Sequence, residues 1–121
     1  MAMDLTGPSA DSARRFEAAA FVANESGPVL TDDPDLALLA NKRVEFEPIF
    51  TLLALQGIWD EAPILNVIQA RQFGLVVLQE PLDAPPGPPM SERFTENVRT
   101  ALQGAYTPAG QIAGYWLYRP T

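Results

Sequence analysis

Three aspartates are the residues best placed to do chemistry in this chain. They lie in the stretch PVLTDDPD at positions 28–35, directly after a short nonpolar run. Asp32, Asp33 and Asp35 would stand at the carboxyl end of a first strand, where the ligands of open α/β sheets gather. Carboxylates at that place can bind a divalent cation or the polar groups of a ligand.

The same aspartates also fit a purely structural role at the start of a helix. In that interpretation Asp33 is the helix cap and Pro34 is the first helical residue, a position that proline favours. Asp35 would then be stabilised by the positive end of the helix dipole. Because Asp-Pro-Asp satisfies this pattern without any ligand, we prefer capping and keep the ligand site as the alternative.

The stretch GIWDEAP, residues 57–63, is the second candidate site. Trp59 could stack against a sugar ring while Asp60 and Glu61 hydrogen-bond its hydroxyl groups. The preferred alternative is again structural, with Trp59 packed into the core and Asp60 capping the next helix. The candidate ligand-binding residues are therefore Asp32, Asp33, Asp35, Trp59 and Asp60, and we assign no catalytic residue and no metal ligand.

Composition excludes several classes of function. Histidine and cysteine are absent, which removes the commonest general base and the imidazole and thiolate ligands of zinc. The formal net charge is −7, and nucleic-acid binding depends on Lys and Arg displacing counterions from phosphates. The phosphate-binding patterns G-x-G-x-x-G and G-x-x-x-x-G-K-[ST] do not occur. We therefore predict no cofactor and no nucleic-acid partner.

Hydrophobic periodicity predicts helices that alternate with strands. Five helices are predicted, over residues 11 or 12 to 24, 34–41, 49–56, 60–71 and, after a Thr95 cap, to 106. Four strands are predicted, over residues 28–31, 43–48, 73–79 and 115–120. The segment 73–79 is nonpolar on both faces, which indicates a central strand. The segment 43–48 alternates between nonpolar and charged residues, which indicates a strand near the sheet edge.

This alternation favours a three-layer Rossmann-like α/β sandwich with a mainly parallel sheet. Helices would cover both faces through right-handed crossovers. An antiparallel strand or hairpin, formed with residues 107–114, would complete the C-terminal edge. We expect 1–10 to be a disordered or vector-derived start and 11–121 to be a single, soluble α/β domain. The proline-rich segment 84–89 is predicted to be a surface loop.

The order of these segments resembles a known class of membrane enzyme. The resemblance rests on PVLTDDPDLALLANKRVEFEP, IFTLLALQGIWDEAPILNVIQARQFGLVVL, RFTENVRTALQGAY and GYWLYRP, within residues 28–120. Its most specific parts are GIWD at 57–60, the strand that begins at Phe73 and the closing YRP at 118–120. Together they resemble the C-terminal soluble region of bacterial polytopic glycosyltransferases related to the dolichyl-phosphate-mannose protein mannosyltransferases.

The resemblance implies a parent enzyme that transfers a sugar from a polyprenyl-phosphate donor. It also implies a location on the extracytoplasmic side of a bacterial membrane, beside the transmembrane portion of the same protein. Glycan or polypeptide acceptors would be the other partners. The catalytic acids of such enzymes lie in loops of the membrane portion, and nothing in this chain matches those loops.

Three functions follow as hypotheses. The leading one is a non-catalytic accessory domain of a membrane glycosyltransferase that helps to position an acceptor or glycan. The alternative is a protein–protein interaction module that uses the proline-rich loop 84–89 or an exposed sheet edge. The third is an acidic, metal-dependent enzyme that uses Asp32, Asp33 and Asp35.

Overall fold

The computed structural model describes residues 8–46, 49–84 and 94–121. The elements in chain order are α1 (Pro8–Ala23), β1 (Val29–Thr31), α2 (Pro34–Leu39), α3 (Ile49–Leu55), α4 (Ala62–Gln69), β2 (Leu75–Leu78), α5 (Glu96–Ala105), β3 (Tyr106–Ile112) and β4 (Tyr115–Pro120). Each of the five predicted helices is present, with ends within a few residues of the predicted ones. Within the described ranges, no helix is both long and apolar enough to cross a bilayer.

The four strands form one mixed sheet in the order β1-β2-β4-β3. β1 and β2 are parallel, with Val29 opposite Leu75. β4 runs antiparallel to both of its neighbours, β2 and β3. The predicted three-layer, mainly parallel Rossmann-like sandwich is therefore wrong, because the sheet is mostly antiparallel.

The C-terminal hairpin is the physical reason for this difference. β3 and β4 are joined by the two residues Ala113 and Gly114, both with positive φ (51° and 86°), the conformation that two-residue hairpin turns require. Strands joined by so short a turn pair antiparallel. The predicted hairpin is confirmed, but its second strand lies inside the sheet against β2, and β3 forms the edge.

β2 is the centre of the sheet, as its continuous nonpolar sequence predicts. All four of its residues are buried, and it lies between β1 and β4. Successive side chains point to opposite faces. Leu75 and Val77 pack with nonpolar residues of α1 and α2 on what we call the α1 face. Val76 and Leu78 pack with residues of α4 and α5 on the α5 face.

The predicted edge strand over 43–48 is wrong for the part that the structure describes. Residues 43–46 belong to no strand, and residues 47–48 lie outside the described ranges. Phe46 is nevertheless buried, and it packs against Trp59 and Phe94 on the α5 face. Of the described nonpolar residues in this alternation only Phe46 is buried, because Val44 is as partly exposed as Glu45.

Thr95 caps α5, as predicted from the sequence. Its Oγ1 accepts a hydrogen bond from the backbone N–H of Val98 at 3.2 Å. The same hydroxyl donates to Glu61 Oε1 at 2.6 Å, which ties the start of α5 to the start of α4. Val98, Leu102 and Ala105 are the buried residues of the helix.

Replacing Thr95 with alanine is expected to lower the free energy of unfolding by about 1 to 2 kcal/mol, because a capping bond and a buried side-chain contact are lost together. Urea unfolding followed by circular dichroism measures the change. Thr100→Ala is the matched control: Thr100 is exposed within the same helix, where alanine is the better helix former. Equal stability of the two variants would contradict the capping role.

Candidate functional site

A polar depression of about 250 Å³ lies at the end of the sheet where β2 finishes and β4 begins. It is lined by Arg14, Arg15, Gln79, Ala113, Gly114 and Tyr115, and we call these six residues the polar depression. The carboxyl ends of the parallel strands β1 and β2 meet at this end of the sheet, and antiparallel β4 begins there. Ligands of open α/β sheets gather at the carboxyl ends of strands.

Asp33 connects three parts of the chain beside this depression. Its carboxylate Oδ2 accepts hydrogen bonds from Arg15 Nε at 3.1 Å and from the Tyr115 hydroxyl at 2.7 Å. Asp33 is 5% exposed, and its backbone N–H donates to Thr31 Oγ1. The network therefore fixes α1 and the start of β4 to the loop that follows β1.

Asp33 stands at the predicted N-cap position of α2, but its side chain does not cap the helix. Asp33 stands immediately before α2, and Pro34 is the first helical residue, with Asp35 in the first turn. The Asp33 side chain, however, makes no capping hydrogen bond. Its carboxylate bonds instead to Arg15 and Tyr115, and in the pair with Arg15 both donor and acceptor are charged.

The network shifts the titration of both donors. The hydrogen bond to Asp33 raises the pKa of Arg15, so this guanidinium keeps its charge. Burial, and next the bond to Asp33, raise the pKa of Tyr115 well above its ordinary value of 10.0. The Tyr115 hydroxyl therefore stays protonated and donates a hydrogen bond to Asp33 throughout the neutral pH range.

The three aspartates do not form one site. Asp32 is buried, and its Oδ1 accepts from the backbone N–H of Gln79 at 3.1 Å, while its backbone oxygen accepts from Gln79 Nε2 at 3.3 Å. Asp35 is exposed on α2 and borders a separate groove between α1 and α2. Among the described residues, no three acidic side chains are grouped so that they could hold a metal ion.

Trp59 and Asp60 lie away from the polar depression. Trp59 is half-buried and packs edge-on against Phe46 on the α5 face, with ring centroids 5.9 Å apart, whereas Arg15 belongs to α1 across the sheet. Asp60 is exposed, and its Oδ1 accepts from the backbone N–H of Ala62 at the start of α4. Trp59 thus packs against the core as predicted, whereas the predicted cap is wrong by one residue, because Glu61 is the N-cap of α4 and Asp60 precedes it. The two candidate clusters stay apart.

Sequence reasoning missed the residues that line the depression. Arg14 and Arg15 lie within the predicted first helix and Tyr115 begins a predicted strand, and their local sequence does not mark them as site residues. Gln79 was noted only as the end of a strand. Tyr115 meets Asp33 across 82 positions of sequence, so no local spacing could have revealed the contact.

Alkaline pH is expected to destabilise the domain through its buried tyrosines. Burial raises the pKa of Tyr106, Tyr115 and Tyr118. Their contribution to stability is complete below pH 10.0, the ordinary tyrosine pKa. It is lost as the pH rises further, because the unfolded chain ionises first. Urea unfolding between about pH 8 and pH 11.5 should show this fall, and Tyr115→Phe should make it shallower. An unchanged slope in the variant would contradict the assignment.

The fold and the site together define a small α/β domain with a four-stranded mixed sheet and a polar depression at one end of the sheet. Comparison of the chain with protein-family models, with curated proteins and with solved structures finds no match.

Proposed function

We propose that the chain is a non-catalytic accessory domain of a membrane glycosyltransferase, in which it helps to position the acceptor or glycan. The observation that carries the binding role is the polar depression, where α1, the end of β2, the β3–β4 turn and the start of β4 converge. The link to a membrane glycosyltransferase rests on the sequence resemblance over residues 28–120. The proposed partner is the transmembrane portion of the same parent protein, on the extracytoplasmic side of the membrane.

The chemistry of the depression favours binding over catalysis. Asp33 Oδ2 already accepts two hydrogen bonds, from Arg15 and Tyr115. Asp32 Oδ1 already accepts one from the backbone of Gln79. A general base must reach the proton that it removes, whereas these carboxylate oxygens hold the ends of the strands together. Such contacts fix the shape of a surface that can receive a ligand.

Sugar transfer by the pure chain is the first test of this proposal. The full 121-residue chain is incubated with a radiolabelled polyprenyl-phosphate sugar and a peptide or glycan acceptor. No transfer is expected above the rate without protein, and measurable turnover would overturn the non-catalytic role. The reading frame upstream of Met1 is expected to encode hydrophobic spans, and a frame that encodes none would overturn the link to a membrane enzyme.

The parent enzyme offers a sharper test of positioning. Gln79→Ala in the full-length enzyme should raise KM for the acceptor while leaving KM for the lipid-linked donor unchanged. Gln69→Ala is the matched control, because Gln69 is exposed on α4 and lies outside the polar depression. A loss in kcat with an unchanged acceptor KM would contradict a positioning role.

A protein-interaction module is the second candidate, and one observation favours it. The groove between α1 and α2 exposes Phe16, Leu38 and Leu39, which are 61%, 65% and 45% accessible. A nonpolar segment of a partner protein, such as the membrane portion of the parent, would cover these side chains. Leu38→Glu should then weaken association with the parent's membrane portion in a pull-down, while Gln79→Ala should not. The proline-rich loop has only its first residue, Ala84, inside the described ranges.

A further inference from the structure

The polar depression has the charge balance of a site for a neutral ligand. Arg14 and Arg15 bring two positive charges to it, while Asp32 and Asp33 place two carboxylates beside it. Arg15 is held by Asp33 through a direct ion pair. The chain as a whole carries a formal net charge of −7. A phosphate or carboxylate would meet both nearby carboxylates and an unfavourable overall field.

The depression also offers hydrogen-bond donors and acceptors together. The guanidinium groups of Arg14 and Arg15 only donate, whereas the Gln79 amide has a donor and an acceptor end. The backbone of the Ala113–Gly114 turn borders the same space. A hydroxyl group both donates and accepts, so a ring that carries several hydroxyls can satisfy such a mixture. An ionised carboxylate only accepts, and it would leave the acceptors of the site unsatisfied.

Size and rigidity limit the ligand further. At about 250 Å³ the depression is smaller than the roughly 300 Å³ at which pockets for drug-sized ligands begin, so it has room for one ring. The Asp33 contacts fix Arg15 and Tyr115. The tight hairpin turn fixes Ala113 and Gly114. Groups that are already held in place lose little freedom when a ligand binds.

From these observations we propose that the polar depression binds an uncharged, hydroxyl-rich ring of the size of one hexose. This ligand class rests on the proposed function, since it specifies which part of an acceptor or glycan the domain holds. Gln79 and Arg14 supply hydrogen bonds to ring hydroxyls, and Arg15 is a further donor that Asp33 orients. The expected dissociation constant is millimolar, as is normal for a ligand of so few atoms.

An NMR titration of the full 121-residue chain tests this ligand class. Methyl glucoside, methyl galactoside, methyl mannoside and inorganic phosphate are the probes, each raised to tens of millimolar. At least one methyl hexoside is expected to shift the backbone amide signals of Gln79, Gly114 and Tyr115 in a saturable way. Phosphate is expected to shift none of them. Saturable binding of phosphate at these amides, or no saturable shift with any hexoside, would overturn the proposal.

Two variants confirm where the ring binds. Gln79→Ala and Arg14→Ala should each weaken hexoside binding at least tenfold, and circular dichroism of each variant confirms that it folds. Gln69→Ala on α4 is the control, and it should bind the hexoside as tightly as the unchanged 121-residue chain does. Undiminished binding in both site variants would overturn the assignment. The absence of upstream membrane spans would overturn the proposed function and leave hexose binding standing, so the two failures are distinguishable.

Discussion

Replacing Asp33 with alanine is expected to lower the free energy of unfolding by about 2 to 4 kcal/mol. The carboxylate is 5% exposed and accepts from both Arg15 and Tyr115. Its removal leaves the buried Tyr115 hydroxyl without its acceptor and the Arg15 charge without its counter-ion. The expected loss is at the lower end if the guanidinium, whose side chain is 30% exposed, turns towards water.

Asp35→Ala is the matched control for this experiment. Asp35 is exposed in the first turn of α2, where it is favoured by the helix dipole and is the weakest of the influences that raise the pKa of Arg15. Its loss should change stability by no more than about 0.5 kcal/mol. Urea unfolding at neutral pH compares the two variants. Equal effects would mean that Asp33 acts as an ordinary helix-start residue and that its network contributes nothing.

A double-mutant cycle separates the energy of the Asp33–Tyr115 hydrogen bond from the other effects of each substitution. Tyr115→Phe, Asp33→Ala and their combination should show a coupling energy of about 0.5 to 2 kcal/mol, because the two side chains touch directly. Asp33→Ala should also weaken hexoside binding, since Arg15 loses the group that orients it. Arg15→Lys keeps the charge but not the Nε donor, so it should recover little of that orientation.

Features that depend on neighbouring residues could be predicted from the sequence. Thr95 caps a helix because the N–H that it accepts belongs to Val98, three positions away. The segment 73–79 had to be a covered strand, because nonpolar side chains on both faces of a strand need cover on both sides. Asp33 and Pro34 likewise mark where α2 begins. Each of these follows from short-range geometry alone.

Features that depend on distant residues could not be predicted in this way. The partners of the Asp33 carboxylate lie 18 and 82 positions away, and a capping pattern does not exclude them. The relative direction of neighbouring strands is equally hidden, because a strand shows the same pattern of nonpolar residues whether its neighbour runs parallel or antiparallel. The polar depression arises only when the hairpin places β4 against β2, so it depended on the part of the topology that was predicted wrongly.

Phe46 is the second place where a large effect is expected. Its side chain is 1% exposed and lies between Trp59 and Phe94, with ring centroids 5.9 and 5.1 Å away. Phe46→Ala removes these ring contacts and leaves a cavity in the α5 face. The free energy of unfolding should fall by about 3 to 5 kcal/mol, measured by urea unfolding. Phe16→Ala is the matched control, because Phe16 is 61% exposed, and it should change stability by about 0.5 kcal/mol or less.

The backbone around Phe46 gives an independent check of the same packing. Residues 43–46 join no strand, so their amides lack the ladder of hydrogen bonds that slows exchange with solvent. We expect these amides to exchange much faster than those of Leu75 to Leu78 in native-state hydrogen exchange, even though Phe46 contributes strongly to stability. Slow exchange together with a small effect of Phe46→Ala would describe a solvent-facing edge strand. That outcome would remove Phe46 as the nonpolar anchor that holds Trp59 against the α5 face.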